Sequence, residues 1–365
     1  MANAIGSPVQ IRLEASTFCN LRCPVCDTTT GLTRQAFGGG FLRLEDFRKL
    51  LDVNPRLERI ELSNKCEIFL NPALLSILEL AHQRGVKLTA HTGVNLHKVR
   101  PEVMEGLGKY QVRHLTCSID GASEETYSIY RVRGKFASVI ENIRKINALK
   151  QQYSSPFPEL VWKFIIFGHN EHELPVAREL ARELDMGFQT ALNHSRTYSP
   201  VRDPETVLAA TGLGAVSSDG YAALHGRSYH ENFCHQLWDD PQINWDGKVL
   251  GCCVNNWGDF GGNAFRDGLR ASVNTEQIVY ARAMLRGRAP PREDILCTRC
   301  DHYEAMHKRG QWLERGARRT VKLIYWDFCR RILRWLPERS RHTVKLIYGI
   351  FTAVLDGGYQ LSFAE

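Results

Sequence analysis

Residues 9–193 alternate short runs of β-branched and other apolar residues with longer segments whose apolar residues recur at helical spacing. Six of the short runs are predicted strands: VQIRLEAS, LERIELS, GVKLTAHT, VRHLTCSID, LVWKFIIFGH and FQTALNH. Strands that alternate with helices form a parallel sheet. We therefore expect an α/β fold with an open or partial barrel, in which functional residues lie at the carboxyl ends of the strands.

The first residues of the chain and its 11 cysteines bear on the cellular compartment in which the protein works. No basic segment followed by an apolar run, as in a secretory signal, stands at the start, and no run of about 18 apolar residues predicts a membrane span. We therefore expect a cytoplasmic protein. Clustered cysteines in a reducing cytosol are more often metal ligands or catalytic groups than disulfides.

Cys19, Cys23 and Cys26 directly follow the first predicted strand in the stretch FCNLRCPVCD. The spacing C-x3-C-x2-C can bring three thiolates to one face of a [4Fe–4S] cluster, which would leave its fourth iron open for a substrate or cofactor. A structural zinc ion usually takes four ligands in two pairs, and no fourth cysteine follows at that spacing. Zinc remains the alternative at this point.

The segment CNLRCPVC resembles the signature of the radical S-adenosylmethionine (SAM) enzymes, and its place after the first strand matches the partial (β/α)6 TIM barrel of that family. The resemblance implies that the amino and carboxylate groups of SAM chelate the open iron. It also implies that the reduced cluster cleaves SAM to methionine and a 5′-deoxyadenosyl radical, which abstracts a hydrogen atom from a substrate C–H bond. A flavodoxin or ferredoxin is the implied electron donor.

The resemblance also assigns SAM contacts to residues at the ends of the second, third and fourth strands. They are Glu67, Thr92, Ser118, Asp120 and Arg131. The plainer alternative for such strand-end residues is a turn or a helix cap. The segment SNKCE departs from the Gly-Gly-Glu turn of the family, because Asn64, Lys65 and Cys66 precede the glutamate, and glycines would let the backbone approach the ligand more closely.

A second group of cysteines follows in the C-terminal third of the chain. Its four predicted ligands are Cys234, Cys252, Cys297 and Cys300. The Asp-Gly turn of NWDGKVL predicts a hairpin that ends near Cys252. Four thiolates suit either a closed zinc ribbon or a second iron–sulfur cluster. The pattern C-x12-G-x4-C followed by C-x2-C resembles the SPASM/twitch extension of radical SAM enzymes, with one auxiliary [4Fe–4S] cluster; Cys253 is the competing ligand beside Cys252.

The auxiliary cluster implied by this resemblance favours electron exchange with the substrate, and hence an oxidation or rearrangement of the substrate radical. We expect a small hydroxylated or sugar-like substrate, and the alternative is maturation of a ribosomal peptide by cross-linking or epimerisation. Candidate substrate contacts at or near strand ends are His91, Lys163 and Asn193. An alternative of another class is an interaction protein stabilised by zinc.

Changes in composition divide the chain into a core barrel at 1–193, a linker at 194–233, a twitch-like cluster domain at 234–305 and a helical tail at 306–365. The tail holds much of the excess basic charge together with aromatic residues, and it repeats the segment TVKLIY. Three explanations stand side by side: a solvated helix face, contact with an anionic membrane surface, and docked helices whose basic face meets an acidic substrate or protein. No nucleic-acid module accompanies the charge, so we expect no nucleic-acid partner.

Overall fold

The computed structural model describes residues 3–226, 229 and 231–313. The described residues as far as Trp312 belong to one compact unit. The tail from residue 314 onward lies outside the described residues, so its helical pattern and its membrane contact stay predictions. Among the described residues, no helix combines the length and the apolar character needed to cross a membrane.

An eight-stranded sheet forms the centre of the unit, in the order β6-β5-β4-β3-β2-β1-β7-β8. Its strands are β1 Gln10–Leu13, β2 Arg59–Glu61, β3 Lys87–Val94, β4 His114–Ser118, β5 Glu159–Ile166, β6 Gly187–Leu192, β7 Gln242–Ile243 and β8 Val249–Gly251. The first six strands are parallel and adjacent in chain order. The predicted parallel α/β sheet is therefore confirmed.

The last two strands attach the C-terminal cysteine segment to this sheet. β7 pairs parallel with β1, and β8 returns antiparallel to β7. The hairpin predicted from the Asp-Gly turn is therefore present, and it extends the barrel sheet beyond β1. The composition of the chain does not predict this attachment.

The helices connect successive strands and then follow the hairpin. They are α1 Asp27–Thr30, α2 Leu32–Phe37, α3 Leu44–Val53, α4 Leu74–Gln83, α5 Pro101–Lys109, α6 Glu124–Tyr130, α7 Phe136–Gln152, α8 Leu174–Glu183, α9 Pro204–Thr211, α10 Ser218–His225, α11 Gln236–Asp239, α12 Ala264–Asp267, α13 Leu269–Ser272, α14 Glu276–Leu285 and α15 Asp301–Arg309. In α3, Phe47, Leu50 and Leu51 are buried at helical spacing. Right-handed crossovers between strands in this order place the connecting helices on one face of the sheet.

Two helices, α9 and α10, lie in the segment 194–233 that the sequence indicates as a linker. The Asp203 side chain accepts a hydrogen bond from the Thr206 amide at the start of α9, and Ser217 caps α10 in the same way. These are strong N-terminal caps, whereas the apolar periodicity of both helices is weak. The four-part division of the chain stays a prediction.

A row of polar residues crosses the face of the sheet opposite the helices. Its members are register partners in six neighbouring strands: Gln242, Arg12, Glu61, Thr89, His114 and Glu159. Partners on the other face are apolar, as with Ile60 and Leu88. Because side chains alternate between faces along a strand, the polar row lines the inner face of the partial barrel.

The Glu61 carboxylate in the polar row holds a bulge in β3. The pairing of β3 with β4 shifts between Ala90 and Val94. Within the bulge, the His91 amide donates to Glu61 at 2.8 Å. Ser63 donates to Glu61 at 2.6 Å and accepts from the Thr92 amide at 3.2 Å. Bulges of this kind redirect side chains beside active sites.

Replacing Glu61 with Gln should destabilise the protein strongly. Burial opposes ionisation of Glu61, but Arg12 and the surrounding donors keep its pKa below the usual value. A glutamine would turn an NH2 group toward these donors and leave Arg12 without its carboxylate. We expect Glu61→Gln to lower the free energy of unfolding by about 3 kcal/mol in urea denaturation.

The matched control for this prediction is Glu58→Gln, since Glu58 lies three positions earlier and is exposed. Its effect should stay within about 0.5 kcal/mol. Equal denaturation midpoints for the two variants would show that the Glu61 network contributes nothing to the fold.

Candidate active site

Cys19, Cys23 and Cys26 lie in the loop between β1 and α1, at the carboxyl end of β1. They pack together against a small apolar cluster. Its main members are Leu21, Tyr130 and Phe167. The Cys26 amide donates to the Cys23 carbonyl oxygen at 3.2 Å, which makes a tight turn just before α1. The structure therefore brings the first three predicted cluster ligands to one place.

Nitrogen donors surround two of these sulfur atoms. Cys19 Sγ accepts from the Leu21 amide at 3.4 Å and from Asn95 Nδ2 at 3.8 Å, and Cys23 Sγ accepts from Arg131 Nη1 at 3.7 Å. Burial raises the pKa of Cys19 to about 11 and also raises that of Cys23. Donors to sulfur favour the thiolate and tune iron–sulfur clusters, so the loop fits a group that takes thiolate ligands.

The described residues contain no group of three or more His, Cys, Asp or Glu side chains that could hold a single metal ion. One ion needs all its ligands around one centre, whereas each thiolate of an iron–sulfur cluster binds an iron of its own. Grouped cysteine thiolates suit a zinc ion as well as an iron–sulfur cluster, so the zinc alternative stays a prediction.

The Asp120–Arg131 pair joins the ends of β4 and β5 to the cysteine loop. Asp120 is fully buried, accepts from the Ile165 amide at 2.8 Å and pairs with Arg131 Nη2 at 2.5 Å. Burial disfavours the guanidinium, but Asp120 and Cys23 keep the pKa of Arg131 well above its ordinary value. Arg131 is therefore a fixed cation beside the Cys23 sulfur, and SAM contacts by this pair stay predictions.

Glu67 is buried and braces three segments of the site. Its carboxylate accepts from the Phe69 amide at 3.2 Å and from the Asn95 amide at 2.6 Å, and its own amide donates to the Phe18 carbonyl oxygen. Burial raises the pKa of Glu67 to about 7. The predicted contact between Glu67 and SAM remains a prediction beside this bracing role.

Thr92 and Ser118 stand at the adjacent ends of β3 and β4, and Gly93 lets them come close. A Cβ atom at Gly93 would lie 2.2 Å from Ser118 Oγ, and the φ of Gly93 is +143°. The Thr92 hydroxyl accepts from Arg12, and the Thr92 carbonyl oxygen accepts from Lys163 Nζ at 3.4 Å. The two predicted SAM contacts are thus brought together at the bulge.

Two of the residues that replace the glycines of the family, Lys65 and Cys66, have partners of their own. The Lys65 amide donates to the Glu14 carboxylate at 3.1 Å, and Cys66 Sγ lies 3.1 Å from the Thr28 hydroxyl. Burial raises the pKa of Cys66. Cys66 is therefore packed as a buried thiol beside the cysteine loop.

Sequence reasoning missed three residues that organise the site, namely Glu14, Glu61 and Asn95. All three are buried. The signal for the two glutamates was present, because each is a charged residue in or directly after a predicted apolar strand. Asn95 carried no such signal, since its donation to Cys19 depends on the path of the chain after β3.

The second group of cysteines lines one apolar cavity. Its walls consist of Cys234, Cys252, Cys297 and Cys300 together with Leu237, Asn255, Trp257, Phe260, Leu285, Leu296 and Tyr303. Cys252 follows β8, and the Cys300 amide donates to the Cys297 carbonyl oxygen at 3.1 Å. Burial raises the pKa of Cys252 to about 12. The structure thus brings the four predicted auxiliary ligands together.

Cys253 faces a different environment from its neighbour Cys252. It does not line the cavity. Its amide donates to Gln236 Oε1 at 2.7 Å, and the charged groups that act on its thiol are Arg12, Lys65 and Asp240. This geometry favours Cys252 over Cys253 as the fourth ligand.

Residues 13–180 match the family model described as the Radical SAM superfamily. The chain contains a Radical SAM superfamily domain. The chain is 25% identical over 181 residues to the AdoMet-dependent heme synthase of Methanosarcina barkeri (strain Fusaro), a stretch that covers 49% of this chain and 48% of that protein. It thus spans about half the length of this curated relative.

Two solved structures share the fold of this chain. Streptococcus suis SuiB bound to S-adenosylmethionine has a TM-score of 0.58 at 13% identity, covering 83% of this chain and 73% of SuiB. Native anSMEcpe with bound AdoMet has a TM-score of 0.52 at 16% identity, covering 73% and 80%. At these identities the likeness concerns the fold, and it agrees with the parallel sheet of the radical SAM core.

Glu14 in this core should make the stability depend on pH. It is fully buried, and burial raises its pKa from 4.5 to about 8, against the Lys65 amide and the Arg12 charge. A raised pKa stabilises the fold below pH 4.5, and that contribution is lost as the pH rises through 8. The wild type is compared with Glu14→Gln, which cannot ionise. Relative to this variant, the free energy of unfolding of the wild type should fall between pH 5 and pH 8. The fall should be about 1.4 kcal/mol for each unit by which folding raises the pKa of Glu14.

Urea denaturation of both proteins across this pH range checks the prediction. Because only the difference between the two profiles is compared, other titrating groups cancel. Parallel profiles would mean that Glu14 ionises normally in the folded protein.

Proposed function

We propose that this protein is a radical SAM enzyme whose [4Fe–4S] cluster is held by Cys19, Cys23 and Cys26. The observation that carries the proposal is the convergence of these thiols at the carboxyl end of β1, with amide and guanidinium donors on two of the sulfur atoms. The bound cluster and SAM together supply the one-electron chemistry that removes a hydrogen atom from carbon.

The chain itself would position and shield this chemistry. Arg131, fixed by Asp120, holds positive charge at the Cys23 sulfur. Tyr130 and Phe167 pack against the cysteine loop and exclude water from it. SAM would lie at the strand ends beside Glu67, Thr92, Ser118, Asp120 and Arg131. These residues come together in the fold at the same edge of the sheet as the cysteine loop.

An auxiliary [4Fe–4S] cluster in the second group of cysteines is part of the proposal. Four thiols line a single cavity with apolar walls. A cluster held by four thiolates has no open iron, so electron transfer is its natural role. The enzyme would then act as an oxidoreductase or would rearrange a substrate radical, with flavodoxin or ferredoxin as the electron donor and the cytoplasm as its compartment.

The substrate that we propose is a small hydroxylated or sugar-like molecule. The polar row on the inner face of the barrel supports a polar substrate of this kind. A peptide substrate is the second candidate, and SuiB, which shares the fold, has been solved with its precursor peptide SuiA. Of the candidate substrate contacts, Lys163 donates to the Thr92 carbonyl oxygen at the bulge of β3, and the exposed His91 lies in the same bulge. Asn193 donates to the Tyr198 carbonyl oxygen.

Formation of 5′-deoxyadenosine from SAM tests the proposal directly. Anaerobically reconstituted and reduced wild-type protein should form it, because the loop leaves one iron open for SAM. The Cys19, Cys23, Cys26 triple Ala variant should lose this activity while it keeps the iron of the second group. Stoichiometric zinc with little iron in the wild type would instead support a zinc-stabilised interaction protein.

The auxiliary cluster is tested by a pair of adjacent cysteines. Cys252→Ala should lower the iron content by about four atoms per chain, because Cys252 lines the cavity. Cys253→Ala is the matched control and should leave the iron content unchanged, since Cys253 faces Arg12 and Lys65. Iron loss in Cys253→Ala alone would reverse the assignment, and no loss in either variant would argue against an auxiliary cluster.

A further inference from the structure

Two cationic side chains from separate strands meet at Thr92, on the bulge of β3. Arg12 of β1 donates to the Thr92 hydroxyl, and Lys163 of β5 donates to the Thr92 carbonyl oxygen at 3.4 Å. In the sheet, β2, β3 and β4 separate β1 from β5. The two side chains therefore reach toward one point across the inner face of the barrel.

The charge of Lys163 is not balanced by a neighbour. Among the described residues, no carboxylate lies within ion-pair distance of Lys163 Nζ, and Asp120, the acidic group acting on it most strongly, is already paired with Arg131. Burial lowers the pKa of Lys163, with Asp120 and Cys253 opposing the shift and Arg131 adding to it. A partly buried ammonium with a single long hydrogen bond is costly unless an anion joins it.

Other acidic groups near this point do not supply the missing negative charge. Asp240 pairs with Arg12 at 3.6 Å, and Glu61 also acts on Arg12. Burial raises the pKa of Glu14 to about 8, so this carboxyl is mostly protonated at neutral pH. Lys163 thus retains an excess of positive charge.

Buried polar atoms beside Arg12 also have no partner. Gln242 is fully buried next to Arg12 in register, and both of its side-chain polar atoms lack a hydrogen bond among the described residues. Arg12 Nε is also buried and lacks a hydrogen bond among the described residues. An unpaired buried polar atom in a native protein requires an explanation, and a bound water or ion is one.

We propose that Arg12 and Lys163, joined at Thr92, form a subsite for an anionic oxygen group of the substrate, a carboxylate or a phosphate. The inference rests on the proposed function and specifies in addition that the substrate carries a negative charge. The subsite lies at the carboxyl ends of the strands, at the same edge of the sheet as the cysteine loop. SAM also carries a carboxylate, and the test separates that source from the substrate.

The test measures binding of three probes, inorganic phosphate, acetate and SAM, to the anaerobically reconstituted protein by calorimetry. Lys163→Met removes the charge and keeps most of the length of the side chain, whereas Lys163→Arg keeps the charge. Lys87→Met is the matched control, because Lys87 is an exposed lysine at the opposite end of strand β3 in the same sheet. If Lys163→Met does not fold, Lys163→Gln takes its place, with melting curves as the check on folding.

Phosphate or acetate should bind at least tenfold more weakly to Lys163→Met than to wild type. Lys163→Arg and Lys87→Met should bind these anions about as tightly as wild type. The affinity of Lys163→Met for SAM should be unchanged. Equal binding of both anions to wild type and Lys163→Met would overturn the proposal. An equal loss of SAM affinity in Lys163→Met would also overturn it, because the subsite would then serve the SAM carboxylate.

Failure of this inference is distinct from failure of the proposed function. Anion binding can be measured whether or not the protein cleaves SAM. A protein that forms 5′-deoxyadenosine but binds anions independently of Lys163 would refute the subsite alone, and a protein without iron would refute the proposed function.

Discussion

The buried Glu61 carboxylate ties together the strands that carry most of the candidate site. It takes hydrogen bonds from Ser63 at the end of its own strand and from the amide of His91 on β3, and it lies beside the Arg12 guanidinium from β1. A buried carboxylate persists only when donors and opposite charge compensate its lost hydration. That requirement fixes the bulge of β3, and the bulge in turn places Thr92 where Arg12 and Lys163 meet.

Strand β1 links the two groups of cysteines. Its carboxyl end leads into the loop of Cys19, Cys23 and Cys26. Its edge away from β2 pairs with β7, and the hairpin of β7 and β8 leads to Cys252. Because Cys253 turns from that hairpin toward Arg12 and Lys65, the C-terminal segment also contributes to the inner face of the barrel. The two proposed clusters thus flank a polar interior built on a single sheet.

The six core strands and the grouping of both sets of cysteines follow from local patterns, so the sequence predicts them well. The register of the strands does not follow from local patterns, because the pairing of Arg12 with Gln242 depends on contacts between segments about 230 positions apart. The bulge at His91 and the donation from Asn95 to Cys19 likewise arise only after β2 and β3 are paired. Helices α9 and α10 escaped prediction because strong caps, rather than apolar periodicity, mark them.

In the proposed enzyme, three thiols leave one iron of the first cluster open for SAM, whereas four thiols close the second cluster. Electron paramagnetic resonance of the reduced protein, recorded with and without SAM, distinguishes the two clusters. Two [4Fe–4S] signals are expected, of which only one should change when SAM is added. That signal should be missing from the Cys19, Cys23, Cys26 triple Ala variant, and the other should persist. Absence of both signals from the wild type, or a SAM response that survives in the triple variant, would show that these cysteines do not hold the proposed SAM-binding cluster.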